Sequence, residues 1–181
     1  GAPATTTTSN NISNLTLSGI IFNSGAASFT HAGNPISLDG NIINLSTNPQ
    51  TINLAMTLAG NTVIDVGAGQ LILGGVITDG SNTYGLLKEG SGLLALRGAN
   101  SFDAGLVINS GTVGSARNSG SNTNLGSAAV TVNQGGTLRL GHSVTSNTNS
   151  STTPNDVILA GGSLFADDAF QHLTGTLNVT V

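Results

Sequence analysis

Residues 98–114 read GANSFDAGLVINSGTVG. Gly98, Asn100, Gly105, Asn109, Gly111 and Gly114 are spread through this stretch, and between them sit runs as short as Leu106-Val107-Ile108. Glycine supplies left-handed or closely approached backbone, and asparagine bonds its own turn, so the chain changes direction sharply every few residues. Strands this short bury little apolar surface alone and must be stacked on further copies of themselves.

The repeat appears on moving outward. Six Gly-x-[Leu/Val] marks, at Gly69, Gly92, Gly111, Gly136, Gly162 and Gly175, follow one another with spacings of 23, 19, 25, 26 and 13 residues. An irregular period near 20 to 25 is what a solenoid with loops of variable length produces. Within each unit the apolar period is two. ISLDGNIINLS (36–46), INLAMTL (52–58), LILGGVI (71–77), LLALRG (93–98), VTVNQGGTLRLG (130–141) and TLNVTV (176–181) alternate or run apolar briefly, then stop at Gly or Asn. Only DDAFQHL (167–173) reads as a short helical turn.

The expected fold is therefore all-β: a single-stranded parallel β-helix, or β-solenoid, of about seven to nine coils stacked at about 4.8 Å. An antiparallel sandwich also has short strands and glycine-rich turns, but the repeat mark and the shortage of aromatics favour the solenoid. Leu94, Leu96, Val107, Val132, Leu138 and Leu140 are expected to share one continuous core. Gly92, Gly98, Asn100, Gly105, Asn109, Gly111, Asn133 and Gly136 are expected at the turns. Residues 1–181 read as one domain, with a surface loop at 142–156 and shorter loops at 77–85 and 115–124.

Composition removes several functions. Charged residues make up 7% of the chain and the net charge is −4, so the scattered Lys88, Arg97, Arg117 and Arg139 cannot neutralise a nucleic acid or grip an anionic membrane. No apolar run approaches the roughly 20 residues of a membrane-spanning helix. There is no cysteine from which to read a redox compartment. His31, His142 and His172 are far apart and form no metal-ligand spacing, and no cofactor motif is present. The adjacent pair Asp167-Asp168 lacks the calcium-roll signature.

Residues 86–114, LLKEGSGLLALRGANSFDAGLVINSGTVG, followed by LGSAAVTVNQGGTLRLG at 125–141, resemble the passenger-associated strand repeat of bacterial autotransporters. Lys88, Gly90, Gly92, Leu94, Leu96, Gly98, Asn100, Phe102, Gly105, Ile108, Asn109, Gly111 and Thr112 carry the match; Ala104 stands in place of a glycine and Val113 in place of a leucine. The resemblance implies a right-handed parallel β-helix, export, and display at a bacterial surface.

Three functions are weighed on this basis. The first is a non-enzymatic extracellular module for display, adhesion or spacing, whose partners would be glycans and proteins of host or neighbouring cells. The second is a filament subunit that binds itself end to end, because GTLNVTV (175–181) carries no cap, charge or proline. Leu15, Leu17, Leu177, Val179 and Val181 are the candidate edge residues. The third and weakest is a glycan-cleaving β-helix enzyme, which needs paired carboxylates. The 24-residue spacing sets Asp65 near Glu89 and Asp79 near Asp103 in adjacent coils, yet eight acidic residues give such spacings by chance.

Overall fold

The computed structural model describes residues 6–115, 123–141, 151–167 and 171–180. His142, Asp168, Val181 and the loop segments 116–122 and 142–150 lie outside the described residues. Among the described residues every regular element is a strand, and every strand pair is parallel.

The first face of the solenoid is an 8-stranded sheet. It stacks β1 (Thr6–Asn10), β3 (Phe29–Gly33), β5 (Gln50–Ile52), β8 (Gln70–Leu73), β11 (Leu93–Leu96), β13 (Gly111–Ser115), β15 (Gly136–Leu140) and β18 (Ser163–Ala166) in that order. The second face stacks β2 (Leu15–Phe22), β4 (Ile36–Asn44), β7 (Thr62–Val66), β10 (Leu86–Glu89), β12 (Leu106–Ile108), β14 (Val130–Asn133), β17 (Val157–Ala160) and β20 (Leu177–Thr180). A third face opens with the first halves of β2 and β4, continues through β6 (Met56–Leu58) and β9 (Ile77–Thr78), and resumes as β16 (Ser151–Thr153) paired with β19 (Gln171–Leu173). Two faces are thus eight strands deep, making seven coil-to-coil steps.

The repeat read from the sequence is the stacking period of the first face. Gln70 pairs with Leu93, Leu93 with Thr112, Thr112 with Thr137 and Thr137 with Ser163. These offsets equal the glycine spacings 23, 19, 25 and 26. The odd spacing of 13 arises because Gly175 precedes β20, which belongs to the second face.

Alternation puts one side of each strand inside. On the first face Leu71, Leu94, Val113 and Leu138 form an inward row, all of them buried. On the second face Ile42, Ile64, Lys88, Ile108 and Val132 form another. Leu94, Leu96, Val132, Leu138 and Leu140 lie in the core as expected. Val107 does not: Leu106 and Ile108 point inward and Val107 points outward, half-buried. The run Leu-Val-Ile has no alternation of its own, and pairing of Leu106 with Leu86 and Val130 sets its phase.

Three local readings are corrected. Of the loop read at 77–85, Ile77–Thr78 form strand β9 and Asp79 is buried. Of the segment 142–156, residues 151–153 form β16 and Asn155 is buried, so this half belongs to the coil. The helical turn expected at 167–173 is, at its end, strand β19, because β16 offers a ladder to pair with.

Between β9 and β16 the third face has no strand among the described residues. Buried asparagines replace the ladder there. Asn100 accepts from Ile77 N at 2.8 Å and donates to Asn124 O at 2.6 Å. Asn124 donates to Leu96 O at 3.1 Å, and Asn155 donates to Ala128 O at 2.7 Å. Each satisfies backbone groups that would otherwise be buried without partners. Phe102 fills the interior of this stretch and lies flush on Gly126, where a Cβ would stand 2.5 Å from its ring.

Candidate functional site

Three places concentrate polar chemistry. The first is the corner where the second face turns toward the first. Alternation in β10 sends Leu86 and Lys88 inward together, and Lys88 is fully buried. Its ammonium donates to Glu89 O at 2.5 Å, Gly90 O at 2.7 Å and Ser110 O at 3.2 Å. Three carbonyls match the three donors of a charged amine. Burial pushes the Lys88 pKa down, the charges of Asp65 and Glu89 oppose this, and the result is about 8. Gly111 closes the corner with φ +68°, and a Cβ there would meet Gly90 O at 2.3 Å.

Outside the same corner, Asp65 and Glu89 are register partners. Asn109 donates to Glu89 Oε1 at 2.6 Å, and Asn133 donates to Asn109 Oδ1 at 2.7 Å. Two of the three turn asparagines read from the sequence, Asn109 and Asn133, therefore form a ladder with Glu89 climbing three coils, while Asn100 bonds elsewhere, to Ile77 and Asn124. Gly92, Gly98 and Gly136 sit where neighbouring coils touch, with no room for a Cβ, and Gly105 turns with φ +93°.

The second place is the turn after β9. Asp79 is buried under its own loop and accepts from Tyr84 N at 3.1 Å and Asp103 N at 3.2 Å. Burial alone would raise its carboxyl. The N–H groups of Tyr84 and Asp103, its own backbone and the Asp103 side chain outweigh burial and hold it below the ordinary value. The 24-residue spacing thus brings both acidic pairs together. A general acid needs a raised pKa, and Asp79 is held ionised as an acceptor. Beside it, Asn61, Leu87, Ala104 and Val107 line an open groove of about 340 Å³ on the outer second face.

The third place is the two ends. At one end β1 and β2 are the outermost strands of their faces, and at the other β18 and β20. Leu177 and Val179 are 46% and 63% exposed on the second face, while Leu15 and Leu17 are half-buried on the third, so the expected edge is corrected: Ile20, not Leu15 or Leu17, stands in line with Val179. Among the described residues no group of three or more His, Asp or Glu side chains is placed to share a metal ion. Among them, too, no helix is long and apolar enough to cross a membrane.

The interior role of Lys88 is the feature that sequence reasoning missed. The signal was its phase in LLKEG (86–90), in step with Leu86, and its alignment with Ile64 and Ile108. No family model, curated protein or solved structure matches this chain.

Proposed function

We propose that this chain is a non-enzymatic β-solenoid of the bacterial autotransporter-passenger type, serving surface display, adhesion or spacing outside the cell. The observation carrying this reading is the use to which the best-placed ionisable groups are put. Lys88 and Asp79 are both spent on backbone groups at turns, which builds coils. The resemblance of residues 86–141 to the passenger repeat supports export, and the hydroxyl- and amide-rich exterior suits contact with surface glycans and proteins. The test is a panel of common polysaccharides incubated with the parent chain and with an Asp79→Asn, Asp103→Asn double variant. Absence of product release supports the reading. Reproducible release that disappears in the double variant overturns it in favour of a glycan-active enzyme.

A second reading is end-to-end self-association of the 181-residue polypeptide, favoured by one specific observation. The inward row of the second face starts at Ile20 and finishes at Val179, both aliphatic, and no Asp, Glu, Lys or Arg occurs in 1–38 or 169–181. Docking β20 of one copy on β2 of the next continues the row and the ladder at the same step of about 4.8 Å. Light scattering over a concentration series tests it, with a Val179→Lys, Val181→Pro variant as control. Growth of the parent and not of the variant supports stacking. A strictly monomeric parent, or a variant that grows equally, overturns it.

A further inference from the structure

We propose that protonation of His31 releases β1 from β3, so that the first coil acts as an acid-sensitive strap over the N-terminal mouth of the solenoid. The position of His31 is what matters. The residue occupies an inward position of β3, half-buried, and pairs in register with Thr8 of β1 on one side and Ile52 of β5 on the other. Its ring stacks on Phe29 with centroids 5.8 Å apart and leans on Phe22 at 5.6 Å. The Thr8 hydroxyl and His31 Nδ1 share a hydrogen bond. Phe22, Phe29 and His31 line an apolar groove of about 510 Å³, together with Ile20, Ile21 and Ala26.

Among the described residues, nothing around the ring can balance a positive charge. β1 contributes Thr, Ser and Asn, β5 contributes Gln50, Thr51 and Ile52, and β2 contributes apolar residues, Thr16, Ser18 and Gly19. In the sequence of residues 1–64 the only ionisable side chains are His31 and Asp39. Asp39 is exposed, next to the part of β4 that pairs with β6 on the third face. The hydroxyl of Thr8 can donate to neutral imidazole or accept from imidazolium, so the hydrogen bond does not decide the outcome. The charge does. Phe29 offers an imidazolium some attraction through its ring face, but burial prevails and lowers the His31 pKa from 6.5.

The strand above His31 is the one most easily lost. Among the described residues β1 pairs with β3 alone, and it is almost wholly exposed. Such a strand opens locally at small cost. Opening it gives His31 to water, so a proton binds the open state better than the closed one and shifts the population toward it. Below the ordinary histidine range the mouth uncovers Phe29 and His31, the register partners of Thr6 and Thr8; at neutral pH the strap is closed.

Amide hydrogen exchange read by NMR tests this on the full chain. From about pH 8 to about pH 5, after correction for intrinsic exchange, protection of the β1 amides should fall by up to about tenfold per pH unit, while β11 amides hold steady. In His31→Gln the β1 protection should be flat with pH. A flat profile in the parent, or an equal fall in His31→Gln, overturns the proposal. The ring titration of His31 in the unmodified chain gives a check that needs no variant. A midpoint below the ordinary value of about 6.5 supports the strap, and one at or above it overturns the strap.

Discussion

Lys88 and Ile64 hold the same position in adjacent coils, side by side in the inward row of the second face, and one is an ammonium where the other is a hydrocarbon. The charge is tolerated because the turn at Glu89-Gly90 and the next coil's Ser110 aim carbonyls at it. Lys88→Ala leaves those carbonyls without a donor and a void beside Ile64 and Ile108, and should cost about 3–5 kcal/mol in urea unfolding. Lys88→Met keeps the stem and should cost about 1–3 kcal/mol.

The same residue fixes a pH dependence. The folded Lys88 loses its proton near pH 8, and the unfolded chain keeps it to 10.5. Between those values the unfolded state binds more protons, so this group makes the fold more stable as pH rises. Below the window both states are charged, and above it neither is. Measured against Lys88→Met, the parent should gain stability across this window and not below it.

The phase of the strands is open to a paired substitution. Leu138 is fully buried between Val113 and Leu164, whereas Val107 faces out. Leu138→Asp buries an unpaired carboxylate and should abolish cooperative folding. Val107→Asp should keep the fold and lose less than about 2 kcal/mol. Circular dichroism during thermal unfolding distinguishes the two.

Much of this architecture was legible from spacing. The glycine marks carried the stacking period because Gly69, Gly92, Gly111, Gly136 and Gly162 all lead into strands of one face, where backbones of neighbouring coils touch. Gly175 broke the period because the same dipeptide chemistry serves a corner of a different face. Val107 was misassigned because an unbroken apolar triplet carries no phase, and only pairing of its neighbour Leu106 with Leu86 and Val130 supplies one. The acidic pairs were legible as neighbours, since 24 residues is near one coil. Their chemistry was not, because it depends on which backbone N–H groups face Asp79. Lys88 was legible as a repeat residue and not as an interior one, since a lone lysine is ordinarily solvated.

Gly126 offers a test of the interrupted third face. It turns with φ +80° beneath the Phe102 ring, so Gly126→Ala meets both backbone strain and a clash, and should cost about 1–3 kcal/mol. At Gly60 an added Cβ would find no atom within 4 Å, and the backbone there is not left-handed, so Gly60→Ala should be neutral or stabilising by up to about 1 kcal/mol. Urea midpoints of the two variants make the comparison.

A display or spacing module must be a stiff rod whose length is set by its coils. Thr30, Thr51, Ile72, Ala95, Gly114, Arg139 and Phe165 form one register row on the first face, beginning and ending on its outward side. The six steps from Thr30 to Phe165 span about 29 Å at about 4.8 Å each. The chain has no cysteine, so spin labels on Thr30→Cys and Phe165→Cys report this distance alone. Electron–electron distance measurement should give a single narrow distribution centred near about 30 Å. A broad distribution, or a mean below about 20 Å, contradicts the stacked, rigid rod on which the proposed function depends.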